Sequence, residues 1–152
     1  MATSTILQTL NQAAAGGLGS ASARRKVETF IASGAITAGD FVSLDVSKTG
    51  ADAALFVSVV DTSGGAVAVG VPTMGVALAD AAANEDVRVV VAGYAQANVV
   101  ASASTAGVAL ALDTTTSGQA AIADAANVNI AAIGLKNSAA LGLTDVWVIP
   151  SI

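Results

Sequence analysis

One pattern is written twice in this chain, and a repeated pattern restricts the fold to architectures that set like against like. Thr37-Ala38-Gly39-Asp40-Phe41-Val42-Ser43-Leu44-Asp45 returns as Thr105-Ala106-Gly107-Val108-Ala109-Leu110-Ala111-Leu112-Asp113. Met74-Gly75-Val76-Ala77-Leu78 then aligns with Ile133-Gly134-Leu135, and Asp86-Val87-Arg88-Val89-Val90 with Asp145-Val146-Trp147-Val148-Ile149. The first match is offset by 68 residues and the later two by 59, so the order is kept and one loop has shortened. The last of these matches puts Trp147 where the first copy has Arg88.

The copies read as β structure. Phe41 to Val46 alternates Phe41, Ser43 and Asp45 with Val42, Leu44 and Val46, the period of a half-buried strand. Gly39 belongs to a turn that favours positive φ. Further strands are expected at 27–33, 54–60, 66–71, 74–78 and 86–92. The second copy supplies 95–101, 108–112, 119–123, 129–135 and 146–149. Asp61-Thr62-Ser63-Gly64-Gly65 is a hairpin signal. The expected body is an all-β barrel or sandwich of about ten short strands, residues 27–152, in two related halves near 27–93 and 94–152.

Composition says how such a body is filled. Hydrophobic residues are 54% of the chain, yet aromatics are only 3%, and Ala (36) and Val (20) dominate. The core must be built from small side chains, with Val suited to a pleated surface. Charged residues are 11%, well below the average of about 25%. So few charges point to a surface covered by lipid or by an assembly. The run Val89 to Leu112 is uncharged and long enough to span a bilayer. It is also polar in places (Gln96, Asn98, Ser102, Ser104) and straddles the junction of the copies, so no membrane partner is expected. Residues 1–20 lack the positive charge and apolar run of a secretory leader.

Residues 1–26 form an N-terminal arm in this reading. Ser4 to Ala15 fits a short helix with Ile6, Leu7 and Leu10 on one side, ended by Gly16-Gly17. Arg24, Arg25 and Lys26 hold half of the six basic residues. Three cations on a chain of net charge −5, without interleaved aromatics, suit a protein partner better than nucleic acid.

Catalytic chemistry has little to work with. The chain has no Cys and no His, so thiolate and imidazole chemistry are excluded, and no Ser-x-x-Lys spacing occurs. The aspartates (Asp40, Asp45, Asp52, Asp61, Asp80, Asp113, Asp124, Asp145) fall one per loop beside Gly, Ser, Thr or a strand end. There they shape turns through their own backbone. Glu85 and Asp86 are adjacent, so in a strand they face opposite ways and do not converge. No calcium-loop pattern and no phosphate-cradling Gly-Lys pattern is present. No enzyme activity, cofactor or metal is expected.

The phrase Ala35-Ile36-Thr37-Ala38-Gly39-Asp40-Phe41, followed by Gly75-Val76-Ala77-Leu78 and then Glu85-Asp86-Val87-Arg88-Val89, resembles the small capsid decoration (cement) proteins of tailed bacteriophages. The likeness covers residues 30–93 and weakens in the second half, where Val108 replaces the Asp of the motif. The resemblance implies a β-tulip or β-clip-like fold, commonly a homotrimer, on the outer surface of an icosahedral head. It implies a virion structural protein, made in the host cytoplasm, that stabilises the capsid by binding the major capsid protein. A trimer ring would also cover sheet edges. In this reading the arm makes the capsid contacts, with Ile6, Leu7 and Leu10 as anchors and Arg24, Arg25 and Lys26 as polar contacts. The alternative, suggested by Thr/Ser-rich loops such as 113–118, is a virion-borne or extracellular module that binds glycans or a host surface.

Overall fold

The computed structural model describes residues 24–60, 73–100, 104–113, 115–123, 130–138 and 142–149. The helix expected at 4–15, the strand at 66–71 and the hairpin at 61–65 lie outside these. Among the described residues there are nine strands. They are β1 (Arg25–Ala32), β2 (Phe41–Leu44), β3 (Phe56–Val59), β4 (Thr73–Ala77) and β5 (Asp86–Val99). β6 (Ala109–Leu112), β7 (Ala120–Ile122), β8 (Ile130–Gly134) and β9 (Gly142–Val148) complete the set. The body is all-β, as its periodicity indicates; its one described helical segment is a 3-10 turn at Gly50–Ala54.

The strands run β1-β3-β2-β4-β5-β7-β6-β8-β9, with extra pairings of β5 to β1 and β9. These pairings close two rings. One is β1-β3-β2-β4-β5 and the other is β5-β7-β6-β8-β9, and β5 is common to both. Each ring has one parallel pair, β1–β3 or β5–β7, and is otherwise antiparallel. Every described strand therefore has a neighbour on both sides. The sheet edges that a trimer was expected to cover are closed within the chain, which is how barrels solve the edge problem.

The repeat is exact enough to follow bond by bond. Val42 pairs with Val59 as Leu110 pairs with Ile122, and both β2 and β6 shift register next to that residue. The isolated bridge Ile36–Ala81 returns as Ser104–Ser138. Gly39 N donates to Ala77 O, and Gly107 N donates to Gly134 O. These glycines have φ +90° and +83°, as the shared turn requires. The pairings correct the sequence alignment in its later part. Val76 pairs with Phe41 and Val90, while Ile133 pairs with Ala109 and Trp147. Val76 thus matches Ile133, an offset of 57 and not 59, and Trp147 matches Val90 and not Arg88. Gly75 and Gly134 misled the alignment, because identical glycines on one strand outweighed the pairing register.

A second difference concerns β5. Two strands separated at Gly93 were expected, and one continuous strand of 14 residues is found. Its first part, with β1, closes the first ring. Its second part stands in the second ring where β1 stands in the first: Ala32 lies parallel beside Val57, and Val99 beside Ala120.

Each ring has its own core. Phe30, Ala32, Val42, Val57, Ala77, Val87 and Val89 fill the first. Ala95, Ala97, Val99, Leu110, Leu112, Ala120, Val146 and Val148 fill the second. Phe41, Val60, Val76 and Val90 come from the first half but pack into the second cluster. Neighbouring residues such as Val89 and Val90 point to opposite faces, so β2, β4 and β5 are buried on both sides.

Candidate functional site

Turns hold Asp40, Asp45, Asp80, Glu85 and Asp113, as their sequence context indicates, whereas Asp145, also expected to shape a turn, lies within β9, where strand pairing points its carboxylate at the Tyr94 hydroxyl. Asp40 accepts Thr37 N at 3.0 Å, Asp80 accepts Ala38 N at 2.8 Å, and Glu85 accepts Ala82 N at 2.8 Å. Asn137 repeats the role of Asp80, accepting Ala106 N at 2.8 Å. Asp45 accepts the backbone N and hydroxyl of Ser47, and Asp113 those of Thr115. The Ser33 hydroxyl, then Ser47, holds Asp45 below the ordinary carboxylate range. Burial pushes Asp113 up, but hydrogen bonds from Thr115 and Thr116 outweigh it and the net shift is downward. Among the described residues no three metal-ligating side chains converge.

A groove of about 260 Å³ lies where the halves meet, lined by residues that include Arg25, Gly39, Leu78, Tyr94, Gln96 and Leu143. Tyr94 donates its hydroxyl to Asp145 at 2.8 Å. That bond, with burial, raises the phenol above its ordinary value. Among the described residues, Arg25, Tyr94 and Gln96 give the groove its polar groups. It was invisible in the sequence because Arg25, Tyr94 and Asp145 are far apart in the chain.

Of the arm residues, Ile6, Leu7 and Leu10 lie outside the described residues. Arg24 is exposed, and its carbonyl accepts Tyr94 N at 3.3 Å. Arg25 and Lys26 open β1 and pair with Gly93 and Ala92. Lys26 is largely exposed and forms an ion pair with Glu28. Arg24 and Arg25 are held against the body because residue 93 is glycine: a Cβ there would stand 2.0 Å from Arg24 O, at φ +93°.

A surface the sequence did not reveal lies on the second half. Ala109, Ile133 and Trp147 form one cross-strand row facing outward. Ile133 and Ala109 are half-buried, and Trp147 is 38% exposed. Ile130 and Leu135 beside them are each 45% exposed. The uncharged run Val89 to Leu112 covers most of β5 and all of β6. No helix among the described residues is long and apolar enough to cross a membrane.

No protein-family model matches the chain, and no curated protein matches it. The fold is similar to that of a solved structure, the N base of the head fibre gp8.5 of bacteriophage phi29. The TM-score is 0.52 at 15% identity, over 82% of this chain and 93% of that one. At that identity the two chains share a fold.

Proposed function

We propose that this chain is a structural protein of a bacteriophage virion, seated on the outer surface of the head. In this reading it binds the major capsid protein, stabilises the shell as a cement protein, and works as a homotrimer. The observation that carries the reading is the fold shared with a phage head fibre base over nearly the whole of that base. The decoration-protein resemblance at residues 30–93 supports it from the sequence. The turn carboxylates support it too, since Asp40, Asp45 and Asp113 spend their acceptor oxygens on the fold itself. Bridging neighbouring capsid subunits adds binding energy that must be lost before the shell ruptures, and an interface of about 1,600 Å² per contact is sufficient.

Immunogold labelling of purified particles of the phage that encodes the chain tests the location. Surface label on heads is expected; particles without label would overturn the reading. The attachment role of the arm is tested by removing residues 1–23, which spares β1. That variant is expected to stay folded and to lose cosedimentation with heads. Undiminished binding would remove Ile6, Leu7 and Leu10 from the interface.

A further inference from the structure

The duplication predicts which surface a second copy uses. In the first half the outward row Phe41–Val76–Val90 is fully buried, at 0% exposure for each residue. The second half of the same chain covers it, since these residues pack with Val99, Leu110 and Leu112. Backbone bonds fix the contact: Phe41 N donates to Gly118 O at 2.8 Å and Asn98 N to Gly39 O at 2.8 Å. The matching row of the second half is Ala109–Ile133–Trp147, and among the described residues no further repeat unit packs over it, so Trp147 stays 38% exposed.

The covering end of the second half also has a counterpart. Val57 pairs with Leu44 as Ala120 pairs with Leu112, so Gly118 corresponds to Leu55. In the first half that end presents Leu55 at 47% and Val46 at 76% exposure. One molecule therefore exposes a counterpart of each side of a used interface at opposite ends of the repeat, although Leu55 N and O are already bonded to Asp52 O and Ile31 N, which leaves side chains to make the contact.

We propose that the Ile133–Trp147 face docks on the Val46–Leu55 end of a second copy, head to tail. The contact uses the faces that meet at the internal seam but makes them meet through side chains, since Leu55 stands where the seam has Gly118. Such a contact is heterologous: the two patches differ, and repetition closes into a ring when the rotation allows. Docking removes an indole and several aliphatic side chains from water, which drives association. The inference deepens the trimer in the reading above by naming its surfaces. Its test needs no capsid, so its failure leaves attachment to heads untouched.

The experiment uses the full chain. Sedimentation velocity gives the mass, and emission of the sole tryptophan reports on the face itself. The expected wild type is an oligomer with blue-shifted emission that moves red on dilution as the mass falls. Trp147→Glu and Leu55→Glu are each expected to be folded monomers by circular dichroism. Mixed together, they keep one intact patch of each kind and should form a one-to-one dimer. A wild-type monomer would overturn the proposal, whether its tryptophan emits as exposed or as covered by its own chain. So would a Trp147→Glu variant of wild-type mass, or two monomeric variants that do not combine.

Discussion

Asp45 and Asp113 occupy equivalent turns and are both held below the ordinary carboxylate value, chiefly by hydroxyl and backbone donors. A depressed folded value means the unfolded chain takes up protons first as pH falls. Stability is then full above about pH 4 and declines below it. Tyr94 acts at the other end of the scale, since its raised value gives stability that is lost as pH rises above about 10. Urea midpoints across pH are expected to fall at both extremes. Asp113→Asn should flatten the acid limb, and an unchanged limb would remove that turn from the account. Thr144 gives a second prediction. It lies where the first half has Val87, and its buried hydroxyl has no hydrogen-bond partner. Thr144→Val should raise stability by about 1 kcal/mol in chemical denaturation, because a desolvated unpaired hydroxyl is replaced by a methyl. The turn role of Asp40, Asp45 and Asp113 was legible from their Gly, Ser and Thr neighbours, whereas that of Asp145 was misjudged, because its place in β9 is set by pairing with Gln96. The lone Thr144 hydroxyl was not, because burial depends on partners distant in sequence.

Among elements, β5 carries the most. It pairs with β1 and β4 in one ring and with β7 and β9 in the other. Both of its parts read as strands in the sequence, the first through its apolar run Val89 to Ala92. Gly93 suggested a break, whereas the structure uses it to admit the Arg24 carbonyl while the strand runs on. Gly93→Val should cost about 1–3 kcal/mol for the backbone alone, with overlap at Arg24 O adding to it. The loss is read from the urea midpoint; an unaltered midpoint would mean that β1 does not lie this close. The repeat was legible for the same reason that its register was misjudged. Local turn motifs such as Thr37–Asp40 are written in consecutive residues, but the match of Val76 to Ile133 is set by cross-strand pairing.

For the whole molecule, the halves have no boundary across which they can separate. They share a strand, and Phe41, Val60, Val76 and Val90 of one belong to the core of the other. Thermal unfolding should be a single transition, with calorimetric and van't Hoff enthalpies in agreement. Two resolved steps would show that the rings are independent. The all-β class and the paired construction were legible because alternation and repetition are properties of sequence. Ring closure was not, since β1–β5 and β5–β9 pairing depends on how the sheet curls.

The closed rings bear on how the protein tolerates its own abundance. A crowded solution of open-edged sheets invites one chain to lengthen the ladder of the next, the route to fibrous deposits. In the described strands the amide rows are already occupied at home, so neighbours brought together there meet through side chains. Encounters between copies are thereby limited to faces that shape and polarity select.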